Sequence, residues 1–147
     1  MKGKHLLLCI ASVLLFVSCA PSVTSNLISG ADLSMYNYVL WPSNTKGDQE
    51  LDYVMFEAYN VLKETRLEVI SESQLAYYPL RETLISNCHV SQDLRKSVIT
   101  IDFKDGVTNL PVLYVKGSFG MGWGMSDDMR GALSALRKRM LVLFPKE

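Results

Sequence analysis

The apolar positions of this chain change period several times, and each change marks an element. "MYNYVLWP" (35–42) is rich in β-branched and aromatic residues and ends at Pro42, which predicts a first strand. "SNTKGD" after it is turn material. From Asp48 to Thr65 the apolar residues Leu51, Val54, Ala58, Val61 and Leu62 recur three and four apart, predicting an amphipathic helix with Asp48 as its N-cap. "RLEVIS" (66–71) predicts a short second strand, and "TLISNCHVS", beyond the break at Pro79, a third. "SVITIDF" alternates, "KDG" supplies a turn signal and "LPVLYVKG" returns, the pattern of a hairpin. From Ser126 to Phe144 a stripe of Met129, Leu133, Leu136, Met140 and Leu143 predicts a final helix, with Ser126 as its N-cap. The order β-α-β-β-β-β-α implies an α+β fold. We expect a two-layer sandwich, a four- to five-stranded mainly antiparallel sheet with two helices on one face. A doubly wound parallel sheet would need helices between strands that are here joined by tight turns.

The first residues follow another logic. "MKGKHLLLCIASVLLFVSCAPS" has Lys2 and Lys4 ahead of an apolar or small run from Leu6 to Val17, the layout of a secretory signal. That run has 12 residues, and a membrane span needs about 20. It stops at "FVSC", and a Cys preceded by Ser18 resembles the lipobox of bacterial lipoproteins. That resemblance implies acylation of Cys19, which becomes the mature N-terminus. Phe16 and Val17 depart from the usual lipobox pattern, and the alternative is an ordinary signal cut after Ala20. The expected organisation is a signal peptide over 1–18, a lipid-anchored flexible tether over 19–31 and a single domain over 32–147.

Removing residues 1–18 takes Lys2 and Lys4 from the 15 basic side chains and leaves 13 against 15 acidic ones, a net of about −2. A nucleic-acid partner would call for a strong basic excess, so none is expected. Cys9 and His5 leave with the signal. With Cys19 lipidated, Cys88 is the one remaining thiol and His89 the one remaining histidine, so no internal disulfide is expected.

Four glycines in "KGSFGMGWGMSDD" (116–128) invite a phosphate-loop reading, which the spacing rejects. A G-x-G-x-x-G register from Gly120 or Gly122 meets Met125 or Asp127 where the third glycine should stand. The G-x-x-x-x-G-K register from Gly117 meets Trp123 in place of lysine. Asp127 and Asp128 would also occupy the helix end that a phosphate needs. What remains is alternation: Phe119, Met121, Trp123 and Met125 on one face of an extended ribbon, glycines on the other. Those four side chains either complete the core or form an exposed docking ribbon for a partner.

No catalytic residues, metal ligands or cofactor are expected. Cys88 and His89 are neighbours on a strand and point to opposite faces, so they cannot act as nucleophile and base. One thiol and one histidine do not build a metal site. Asp102, Asp105, Asp127 and Asp128 read as turn and cap residues, although two carboxylates can converge in space. Arg137, Lys138 and Arg139 compensate the dipole of the last helix or meet anionic headgroups.

The lipobox, the strand "YNYVLWP", the long helix, and the hairpin leading to a glycine-rich strand and terminal helix resemble small envelope lipoproteins of Bacteroidetes-type bacteria. The layout is more distantly similar to periplasmic domains of curli-secretion and Tol-associated lipoproteins. The resemblance implies an outer-membrane lipoprotein facing the periplasm, since Ala20 follows Cys19 and no acidic export tract does. It supplies no catalytic residue. The expected function is a non-enzymatic binding or envelope-assembly module, held to the membrane by its lipid, that recognises an envelope protein or component through one face of the sheet or the 117–125 ribbon. The alternatives are a small hydrolase using paired carboxylates and a structural homo-oligomer. Cys19→Ala should abolish lipidation and shift the protein out of the membrane fraction; unchanged fractionation would refute the lipid anchor.

Overall fold

The computed structural model describes residues 21–42, 49–93, 96–120 and 124–146. Six strands form one open sheet: β1 (Ser22–Leu27), β2 (Tyr38–Leu40), β3 (Glu68–Ile70), β4 (Thr83–Asp93), β5 (Lys96–Asp105) and β6 (Pro111–Gly120). The helices are α1 (Gln49–Lys63) and α2 (Met125–Leu143), and short 3-10 segments occupy Leu33–Met35, Glu72–Tyr77 and Leu80–Glu82. Across the sheet the order is β1-β6-β5-β4-β2-β3. The first four strands in that order are antiparallel neighbours. β2 runs parallel to both β4 and β3. The fold is α+β, with six strands where four or five were expected.

The extra strand is β1. Its sequence "SVTSNL" lies within residues 19–31, which the sequence alone assigns to a tether. Polar residues dominate it, so no hydrophobic period announces it; pairing with β6 from Ser22↔Ser118 to Leu27↔Leu113 makes it a strand. The strand expected over 35–42 shrinks to three residues. Asp32 accepts from the Ser34 backbone N–H at 2.9 Å and caps a 3-10 turn in its place. Between β2 and β3 the chain crosses through α1, giving a parallel β-α-β unit beside the antiparallel strands.

The periodicities translate into burial. Along β5, Ser97, Ile99, Ile101 and Phe103 are buried, while Val98, Thr100, Asp102 and Lys104 alternate with them on the other face. In α1, Val54, Met55, Ala58, Val61 and Leu62 are buried. In α2, Met129, Ala132, Leu133, Leu136 and Met140 form the corresponding stripe. One cluster joins both stripes to Leu84, Ile99, Ile101, Phe103 and Val115, so both helices cover the same face. Each fully buried side chain of this size contributes about 1.5–3 kcal/mol.

Two helix starts need comment. The N-cap of α2 lies two residues earlier than expected, at Gly124 with φ +147° in place of Ser126. The Gly124 carbonyl accepts from the N–H groups of Asp127 and Asp128, both at 3.1 Å, and the two carboxylates stand in the first turn. Asp48, the expected cap of α1, lies outside the described residues.

α2 packs on β6, β5 and β1, and its approach is closest at Gly117. A Cβ there would run into the Ala132 carbonyl oxygen and come within 3.0 Å of Leu136 Cβ. Gly117→Ala should therefore lower stability by about 1–3 kcal/mol, as overpacking does. Denaturant unfolding reads the change, and a wild-type midpoint would refute the close approach.

Candidate functional site

With both helices on one side, no helix among the described residues lies over the other face of the sheet. Strand alternation and register place Asn87 and His89 of β4, Asp102 and Lys104 of β5, Tyr114 of β6 and Asn26 of β1 on this bare face. They line a groove of about 310 Å³ that also includes Ile28, Pro111 and Leu113. His89 Nε2 lies 3.3 Å from Asp102 Oδ2 and 3.0 Å from Asn87 Nδ2. One ring nitrogen cannot donate to the carboxylate while accepting from the amide, so these two contacts belong to different protonation or amide-flip states. Among the described residues no hydroxyl or thiol hydrogen-bonds to His89.

Cys88 and His89 point to opposite faces, as the strand geometry demands. Cys88 packs against the core on the helix side, while the His89 side chain is 59% exposed. Burial, with a smaller contribution from the nearby Asp102 charge, pushes the Cys88 thiol up to about 12.

The two carboxyls with clear shifts both move down. Hydrogen bonds from Ser34 hold Asp32 low. For Asp105 the first cause is the Thr108 backbone N–H, at 2.7 Å, joined by the Thr108 hydroxyl, the Tyr36 hydroxyl and the Val107 N–H. This Asx-type turn shapes the β5–β6 connection, and Asn109 at φ 56° completes it. Tyr36 donates to Asp105 Oδ2 at 3.1 Å; burial first, then this carboxylate, pushes its hydroxyl up to about 12.

Of the expected docking ribbon, Phe119 is half-buried, turned to the helix side and packed on the core and against Gly131. Met121 and Trp123 lie outside the described residues. Met125 is the first residue of α2, and its side chain is also outside them. Cys19 lies outside them as well. Among the described residues no group of three metal-ligating side chains converges, and no helix is long and apolar enough to cross a membrane.

Exposed apolar residues collect where the sequence gave no warning. Leu27, Ile28, Met35, Leu80, Val107 and Leu110 are each 43–64% exposed. The register places all of them at one end of the sheet, where β1 ends, β2 and β4 begin and β5 turns into β6. They come from four separate chain segments, so no local pattern could have gathered them.

The sequence matches no known family signature and no curated protein at a significant level. The fold does have solved counterparts. The PelC dodecamer of Paraburkholderia phytofirmans matches with a TM-score of 0.57 at 15% identity, over 86% of this chain and 99% of that one. A single-substitution variant of the same PelC dodecamer matches over the same shares at a TM-score of 0.55 and 15% identity. The likeness is one of fold.

With its thiol pushed up to about 12, Cys88 carries roughly a thousand-fold less thiolate than a free cysteine. At pH 8, iodoacetamide should leave the Cys88 peptide unmodified in the folded protein and alkylate it after denaturation, as read by mass spectrometry. Prompt labelling of the native protein would refute its burial.

Proposed function

We propose that this chain is a non-enzymatic, lipid-anchored element of the bacterial envelope that works by assembling with further copies of itself. The observation that carries the reading is the fold likeness, across nearly the whole of the other chain, to PelC structures described as dodecamers. The surface is consistent with it. Six exposed apolar residues gathered at one end of a small domain favour a partner over solvent.

The lipid anchor at Cys19 and the outer-membrane location come from the lipobox reading and belong to the same proposal. Lipid on the residue three before β1 would hold that strand close to the bilayer. The hydrolase alternative requires two acids in a cleft, at least one held above its ordinary range. The two acids with resolved shifts, Asp32 and Asp105, are held below it, and among the described residues His89 contacts an amide and a carboxylate.

Light scattering on the full chain, extracted and purified in mild detergent, tests the assembly. The expected protein mass is a multiple of the protomer at micromolar concentration. A monomer across that range would overturn self-assembly and leave a single-copy binding module.

A further inference from the structure

β1 is the edge of the sheet, and the chemistry of that edge is specific. Ile28 donates its backbone N–H to the Val112 carbonyl at 2.9 Å, one step beyond the last β1–β6 pair. Backbone direction alternates along a strand, so Asn26, Thr24 and Ser22 also turn their N–H and C=O groups toward β6. Val23, Ser25 and Leu27 turn theirs outward. Among the described residues no strand pairs with that side.

Edge strands are normally protected by charge, proline, a bulge or a covering element. Between Ser22 and Leu27 there is no charged residue and no proline, and the register with β6 runs without a break. The opposite edge is different. In β3, Glu68 donates to the Asn37 carbonyl and the Ile70 carbonyl accepts from Trp41, so Val69 alone turns its backbone outward. β1 therefore offers three outward residues and β3 one.

The sequence of β1 is also complementary to itself when reversed. About Ser25 it reads Val23-Thr24-Ser25-Asn26-Leu27: apolar, polar, small, polar, apolar. We propose that the chain self-associates by antiparallel pairing of β1 with β1 of a second copy, about a two-fold axis through Ser25. This rests on the self-assembly proposed above and names its contact. Ser25 pairs with its own copy, and Val23 pairs with Leu27 on the helix side, where Val23 already packs on the core. Thr24 meets Asn26 on the bare face. All three outward residues of each strand then exchange hydrogen bonds, and two open sheets become one. Arg139, which donates to Ser25 Oγ at 2.7 Å from the helix layer, approaches its counterpart across the axis and opposes the pairing until salt screens it. The two N-termini leave at opposite ends of the joined sheet.

The register makes the contact testable by cross-linking. Hydrogen-bonded antiparallel partners sit about 5.5 Å apart at Cα, within reach of a disulfide. In full-length protein, Ser25→Cys should form a disulfide-linked dimer under mild oxidation that unaltered protein does not form. Thr24→Cys, which faces Asn26 of the other copy, should not; Thr24→Cys combined with Asn26→Cys should. Leu27→Lys, at a half-exposed side chain, should lower the mass by light scattering while circular dichroism stays native. Assembly that persists without the Ser25→Cys cross-link and is indifferent to Leu27→Lys would overturn β1 pairing and leave self-assembly standing. A monomeric unaltered protein would overturn both.

Discussion

The contact between α2 and Gly117 organises the rest of the molecule. Because residue 117 has no side chain, the Ala132 turn of α2 descends onto β6, and the helix reaches across β5 and β1. Small residues on both sides of the contact let Leu136 and Met140 bury completely. The same seating is repeated at Gly131, against the Phe119 ring. A larger residue at either glycine would lift the helix and open the core, since packed interiors do not deform continuously.

Seating α2 there, with α1 beside it, assigns all helical cover to one face of the sheet. An ion pair at 2.7 Å between Glu64, just past the end of α1, and Arg137 of α2 ties the two helices. The Arg66 guanidinium donates to the Tyr36 carbonyl at 2.7 Å and stacks 5.7 Å from the Phe144 ring, closing the end of the helical layer over the 33–36 turn. Polar chemistry is left to the bare face, where Asn87, His89, Asp102, Lys104 and Tyr114 meet.

Regular elements were legible where one local period decides burial. The stripes of α1 and α2 and the alternation of β5 carry their own phase, and these are the elements whose residues bury as the pattern predicts. β1 was illegible because a strand at an edge needs only backbone partners, and "SVTSNL" offers almost no apolar period to read. The Ser126 cap was misplaced because several residues before a helix can supply its first acceptor. Gly124 took the role through its backbone carbonyl and a φ that other residues rarely adopt. Of the bare-face groove, the sequence revealed that His89 and Cys88 must part company, a consequence of two-residue periodicity alone.

By itself the sequence determined the helices, the central hairpin, the opposed directions of Cys88 and His89, and the failure of the glycine run as a phosphate loop, because each depends on spacing along the chain. Only the tertiary structure decided which strands are neighbours. The parallel placement of β2 between β4 and β3, the unprotected edge at β1, the meeting of His89 with Asp102, and the gathering of Leu27, Ile28, Met35, Leu80, Val107 and Leu110 at one end all follow from strand order and register. Those are set by long-range pairing, which no local period encodes.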